Sequence, residues 1–202
     1  GFAVVKTAYQ TALDGFDQPY GDVAVGGWRN TPYAVIQNVG AYIDTPRFLD
    51  ADHPIADATD AEAYIARLDQ MDDQLDGELG RIKSAADYGL IPPSFLLDKA
   101  IPQMESTIAD ARDGGGTLVQ SIVRRTGDIP GDWRKQASAI VVGRIVPALE
   151  RQLAELRRQR GLATDAPGMR ERPGGEAFYA WALRAATTTT MTPAQIHETG
   201  LA

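Results

Sequence analysis

The sequence predicts a mainly α protein: a bundle of long, partly kinked helices with one irregular or short-strand segment near residues 15–53. Three observations carry that prediction. Apolar residues recur at spacings of three and four over most of the chain, which is the period of a helix buried along one face. Side chains suited to helix capping stand at the starts of several of these runs. The 202 residues, 44% apolar and 23% charged, provide enough chain and enough apolar surface for one helical region spanning 1–202.

The elements follow in order. Gly1 to Leu13 reads as a helix with Phe2, Val5, Ala8, Tyr9, Ala12 and Leu13 on an apolar stripe. From Gly15 to His53 the pattern is ambiguous. Asp22 to Val25 suits a short strand, and Tyr33, Val35, Val39, Ala41 and Ile43 alternate as a strand would, yet the same residues fit a helix beginning at Pro32. Thr59 and Glu62 have capping-box spacing, and behind them Tyr64, Leu68, Met71, Leu75, Leu79 and Ile82 define a helix over about 60–88. Its other face carries Asp69, Asp72, Asp73, Asp76 and Glu78, a solvated acidic surface without the ordered spacing and turn glycine of a calcium loop.

Pro92 and Pro93 end that helix, and Ser94 caps the next through about Arg112, with Phe95, Leu97, Ile101, Met104 and Ile108 inside and Pro102 as a kink or restart. Gly114, Gly115 and Gly116 mark a hinge or helix stop. They are not a phosphate loop, because no Gly-Lys-Ser or Gly-Lys-Thr follows and no apolar strand precedes. From Asp132 as N-cap to Gly161 runs a second long helix that Pro147 must bend, since proline removes an amide donor and crowds the preceding turn. A loop over 162–175 leads to a helix with Ala177, Phe178, Trp181, Ala182 and Ala185 inside, stopped by Thr187 to Thr190. Thr192, Pro193 and Gln195 open a last helix. A capped start with about two turns behind it, together with glycine at position 1, predicts that the polypeptide continues and that something upstream was removed.

Composition narrows the function. The 20 basic and 27 acidic residues give a net charge of −7, which argues against a surface built for nucleic acid or anionic lipid. The charge is uneven: 18 acidic and 7 basic residues fall in 1–110, and 9 and 13 fall in 111–202, so the halves attract. Arg151, Arg157, Arg158, Arg160, Arg170 and Arg172 are interleaved with Glu150, Glu155 and Glu171 and have no aromatic among them, the pattern of a solvated helix face. No apolar run approaches the roughly 20 residues of a membrane helix, and the absence of cysteine excludes thiolate chemistry.

No catalytic constellation emerges. His53 and His197 are the two histidines, and the second histidine of an H-E-x-x-H helix beginning at His197-Glu198 would fall on Leu201. His53 stands before Pro54 in an extended turn, and His197 is expected to pack or bond near a helix start. None of Ser94, Ser106, Ser121 and Ser138 lies in a G-x-S-x-G elbow. The chain therefore carries no predicted catalytic residue and no predicted metal ligand.

A family resemblance covers most of the chain. Trp28-Arg29-Asn30-Thr31-Pro32-Tyr33, then residues 37–50 (Gln37-Asn38-Val39-Gly40-Ala41-Tyr42-Ile43-Asp44-Thr45-Pro46-Arg47-Phe48-Leu49-Asp50) and His53-Pro54-Ile55 resemble a bacterial family known as domain of unknown function 885, DUF885. Matches continue in order through Asp60-Ala61-Glu62-Ala63-Tyr64, Gly89-Leu90-Ile91-Pro92-Pro93, Val146-Pro147-Ala148-Leu149 and the block from Thr188 to Leu201. The family resembles zinc-dependent peptidases through a His-Glu-x-x-Pro-Gly-His motif beyond this block. That motif is not in residues 1–202, and His197 matches the family's Ile-His position, not its metal ligand.

The resemblance implies the N-terminal, non-catalytic helical part of a larger metal-dependent hydrolase acting on peptides. Its partners would be the remainder of its own polypeptide and a peptide substrate, with no cofactor in this chain and zinc in the full-length form. Export to the periplasm or beyond is also implied by the family. This 202-residue chain by itself would hydrolyse nothing. Gln37, Asn38 and Tyr42 are the expected substrate-facing residues, because amide and phenol groups in an apolar segment need hydrogen-bond partners that a peptide would supply; bonding to their own backbone is the competing expectation. The alternative function is a helical binding or scaffold module without chemistry.

Overall fold

A computed structural model of the chain describes residues 1–18 and 31–202. Its described residues form helices, with no strand beyond a single antiparallel bridge between Ile36 and Val39. The chain divides into two compact units. The larger comprises Ala34–Ala86 and Ile91–Asp165, and the smaller comprises Gly1–Tyr33, Asp87–Leu90 and Ala166–Ala202.

The smaller unit holds helices α1 (Phe2–Phe16), α9 (Gly175–Thr187) and α10 (Pro193–Leu201), with a short 3-10 turn at Met169–Glu171. The larger holds α2 (Ala41–Ala51), α3 (Ala58–Leu68), most of α4 (Met71–Asp87), α5 (Ser94–Arg112), α6 (Gly116–Arg125), α7 (Trp133–Ile140) and α8 (Val146–Arg160). Asp22 to Val25, the strand candidate, lies outside the described residues. The segment from 31 to 40 is neither strand nor helix: it turns on the Ile36–Val39 bridge, and the helix begins at Ala41 instead of Pro32.

The core of the larger unit is built from the expected stripes. Tyr64, Leu68, Met71, Leu75, Leu97, Met104, Ile145, Leu149 and Leu156 are each at most 2% exposed. Four local expectations are corrected. The expected helix over 60–88 is two helices, joined where Gln70 N–H bonds Arg67 O at 3.2 Å. Asp69 stays in the right-handed region there, so the apolar register carries across. Asp57, not Thr59, is the N-cap, its carboxylate accepting from Asp60 N–H at 3.1 Å. Ser94 is the first residue of α5, not its cap, and its hydroxyl bonds Asp165. Phe95 is 41% exposed because position 95 lies off the Leu97, Met104, Ile108 stripe.

The two prolines act differently. Pro102 sits inside α5, which runs unbroken from Ser94 to Arg112. Before Pro147 the chain instead opens into a π turn over Val141–Ile145, closed by Val146 N–H on Val141 O. A proline has no amide for the carbonyl four residues back and its ring crowds that carbonyl, so the wider turn gives it room. Gly114, Gly115 and Gly116 all have positive φ, and a Cβ on Gly115 would stand 2.1 Å from Val119 Cγ2, so the triple glycine is a helix stop and restart.

The uneven charge is used within the larger unit. Arg144 reaches Asp69 and Asp72 at 2.5 and 2.9 Å, and Arg151 grips Asp76 through two bonds of 3.0 and 2.5 Å. Arg157 pairs with Glu105 and Arg160 with Asp98, each at 2.6 Å. Three of the five residues expected on a solvated acidic face, Asp69, Asp72 and Asp76, are therefore paired with basic side chains from further along the chain. Glu78 departs furthest from expectation, being buried.

Candidate functional site

The expected substrate-facing residues lie at the entry to α2. Ile36 N–H bonds Val39 O at 3.0 Å and Val39 N–H bonds Ile36 O at 3.2 Å, which leaves Gln37 and Asn38 at the tip of a two-residue turn. Gly40 follows at φ 131°, a left-handed conformation in which a Cβ would press on the Tyr42 ring at 3.2 Å. Tyr42 is buried, and its phenol donates to Ile36 O at 2.9 Å, fastening the turn to the helix. Asn38 is exposed, whereas Gln37 is half-buried with its Oε1 lacking a hydrogen-bond partner. The structure thus gathers the three residues but gives them different situations: one locked, one at the surface, one with a buried acceptor that has no partner.

Beneath this turn is a polar cluster that sequence reasoning missed. Glu78 Oε1 accepts from Ala41 N–H, the first amide of α2, at 2.8 Å. Its carboxylate therefore sits at a helix N-terminus, where the exposed amides favour negative charge. The other oxygen accepts from Gln152 Nε2 at 3.1 Å, and the same amide donates to Leu75 O at 2.7 Å. Burial pushes the Glu78 carboxyl above the ordinary glutamate range, opposed by the bonds from Gln152 and Ala41. Tyr42 is pushed far above the ordinary phenol range, first by burial and then by the charges of Glu78 and Asp44. The signal was available. Position 78 falls three after Leu75 and four before Ile82, and Gln152 falls three after Leu149 and four before Leu156, so both lie on buried stripes.

One turn further along α2 the surface opens into a cleft of about 500 Å³ between α2 and the α3–α4 junction. Asp44, Thr45, Phe48, Arg67, Gln70 and Gln74 line it, and Thr45 Oγ1 donates to Gln74 Oε1 at 2.9 Å. A carboxylate, a guanidinium and two amides beside a partly exposed phenyl ring can hydrogen-bond a peptide backbone and shelter an apolar side chain.

The far end of α2 is clamped. Arg125 donates to Leu49 O at 2.9 Å, to Asp50 O at 3.3 Å and to His53 O, neutralising carbonyls that the helix end leaves open. Arg124 bonds Asp50 at 2.6 Å. His53 is buried, with Nε2 3.0 Å from Asp60 O and Nδ1 3.2 Å from the Arg67 guanidinium. Those partners require Nε2–H and a free Nδ1 lone pair, so His53 is a structural histidine and more than the extended pre-proline residue the sequence suggested. His197 does not pack: it is exposed on α10.

Among the described residues, no group of three or more His, Cys, Asp or Glu side chains is placed to hold a metal ion. No described helix is long and apolar enough to cross a membrane.

Comparison with known proteins completes the description. A family model described as "Bacterial protein of unknown function (DUF885)" matches residues 3–202. A solved structure described as "the putative lipoprotein from Colwellia psychrerythraea" is similar in fold, with a TM-score of 0.78 at 21% identity. The match takes in 98% of this chain but 36% of that one, so this chain spans little more than a third of that protein's length. No curated protein sequence matches.

Proposed function

The chain belongs to the DUF885 family, and from that premise we propose that it is the non-catalytic helical part of a metal-dependent hydrolase acting on peptides. The observation that carries the reading is the combination of coverage and chemistry. The chain matches a relative of nearly three times its extent, and its own described residues offer a cleft of about 500 Å³ that combines charged, amide and apolar groups. Zinc, in this reading, is held by residues outside this chain, and no step of the reaction is assigned to residues 1–202.

The role of this part is to bind. Binding energy from groups remote from the reacting bond lowers the barrier when it positions the substrate. Gln37 Oε1 is buried without a hydrogen-bond partner, and in this reading a peptide amide satisfies it once the turn shifts to admit the substrate, with Asn38 at the surface beside it. Tyr42 acts indirectly, because its proton is committed to Ile36 O and it holds the turn in place. The similarity to a protein described as a lipoprotein supports a further element of the reading, that this protein is exported.

Metal analysis and peptide turnover of the complete gene product test this. The reading expects a stoichiometric divalent metal, hydrolysis that chelation abolishes, and no turnover by residues 1–202 alone. Gln37→Ala should raise KM more than it lowers kcat. A complete product that holds no metal and cleaves no peptide would instead be a helical binding module.

A further inference from the structure

Arg67 lines the cleft between α2 and the α3–α4 junction with one end of its guanidinium held and the other open. Its Nη1 reaches the His53 Nδ1 lone pair at 3.2 Å and Ala63 O at 3.4 Å. His53 is itself fixed. It is 3% exposed, its Nε2–H donates to Asp60 O at 3.0 Å, and its ring meets that of Tyr64 edge-on with centroids 5.5 Å apart. The remaining Arg67 donors, Nε–H and those of Nη2, have no partner among the described residues. Other arginines of the larger unit find a carboxylate within the fold. Arg112, Arg124, Arg144, Arg151, Arg157 and Arg160 each pair with one from a distant part of the chain, whereas no described carboxylate pairs with Arg67.

The cleft is polarised along α2. At one end Thr45 bonds Gln74, with Asp44 next to it on the wall. One helical turn on comes Phe48, 43% exposed, and beyond its ring stand His53 and the Arg67 guanidinium. We propose that Arg67 is the group in this cleft that binds a carboxylate of a peptide, either its C-terminal carboxylate or that of an acidic side chain. The Nε–H and Nη2–H edge of a guanidinium matches the two oxygens of a carboxylate in a bidentate pair, and here that edge is the unused one. Holding Nη1 in place removes part of the side-chain freedom that forming such a pair ordinarily costs. Phe48 offers apolar surface to the residue beside the carboxylate, and the charge of Asp44 disfavours the reversed orientation by like-charge repulsion. The inference rests on reading this cleft as a peptide site and names the chemistry it selects. It needs neither metal nor reaction.

The test compares acetylated tripeptides on the complete gene product: Ala-Phe-Ala with a free C-terminus, its C-terminal amide, and the amides of Ala-Phe-Glu and Ala-Phe-Gln. Kd is read by calorimetry, or KM where a peptide is cleaved. A carboxylate peptide should bind about tenfold tighter than its neutral counterpart. Preference for the free acid over its amide identifies a C-terminal carboxylate, and preference for Glu over Gln an acidic side chain. Arg67 is exposed, so Arg67→Gln should leave the fold and the affinity for neutral peptides unchanged while bringing the ratio to within about twofold of unity. Arg67→Lys should keep only part of the preference, because an ammonium is a point charge without the fork. Equal affinity within both pairs, no binding of any of the peptides, or a preference that survives Arg67→Gln overturns the proposal. Chelation-sensitive turnover without a carboxylate preference removes the proposal and leaves the hydrolase reading. A preference lost in Arg67→Gln, in a product with neither metal nor turnover, supports the proposal and removes the hydrolase reading.

Discussion

The two units differ in how far each completes its own core. In the larger, the apolar stripes of α3, α4, α5, α7 and α8 converge on one continuous cluster that runs from Val35 to Leu156. In the smaller, Phe178 and Trp181 are buried with ring centroids 5.3 Å apart, while Phe2, Tyr9, Leu13, Phe16 and Leu201 stand out in solvent. The same helical period is present in both. The difference teaches that periodicity predicts a helix and its apolar face, but not whether that face has found a partner.

The largest contrast to break is between one leucine in each unit. Leu149 is 1% exposed, and Leu149→Ala should cost about 2–5 kcal/mol in a urea melt. Leu13→Ala, at a 60% exposed site, should stay within about 0.5 kcal/mol. Next in size is Gly175→Ala at the start of α9, where a Cβ would stand 1.6 Å from Met169 O. The backbone must shift, at about 1–3 kcal/mol, and Trp181 fluorescence should report it in the smaller unit before Trp133 reports any change in the larger.

Two buried glutamates sharpen the account of the larger unit, with opposite signs. Burial raises Glu78 above its ordinary 4.5, so the stability it contributes is present at low pH and is lost as pH rises from about 4.5 through the raised value. Glu155 is lowered, chiefly by hydrogen bonds from Arg158, so its contribution is present above about 4.5 and is lost as pH falls through the lowered value. Urea melts between pH 3 and pH 8 should therefore show Glu78→Gln gaining on the wild type as pH rises and Glu155→Gln falling behind. Slopes of the same sign would contradict the assignment. The smallest effect belongs to Arg151→Ala: its exposed bidentate pair with Asp76 is worth at most about 1 kcal/mol and should fade in salt.

Much of the fold was legible because it rests on spacing and on local capping. The Thr192 and Gln195 capping box forms as expected, with bonds of 3.3 and 2.8 Å in the two directions, and Thr188 ends α9 in a left-handed conformation. The break between α3 and α4 was not legible, since Asp69 and Gln70 are ordinary helix residues and Tyr64, Leu68, Met71 and Leu75 keep one register across them. Asp57 and Thr59, two residues apart, have equally suitable capping chemistry, so the sequence does not choose between them.

At the candidate site, grouping Gln37, Asn38 and Tyr42 needed only their nearness in sequence. Their separate situations did not follow from it, because the Tyr42 phenol chooses Ile36 O through a turn whose geometry depends on Gly40. The charge of Glu78 argues for the surface, whereas its spacing from Leu75 and Ile82 places it inward, and the spacing prevails. Arg125 offers no such signal: its role as a clamp on α2 depends on contacts more than 70 residues apart.

Native-state hydrogen exchange on the 202-residue chain tests the difference between the units most directly. The account predicts that the slowest amides lie in α5 and α8 and exchange through global unfolding, while α1, α9 and α10 exchange through openings that need far less free energy. Protection of α1 equal to that of α8 would contradict it, because α1 would then be held by a core of its own.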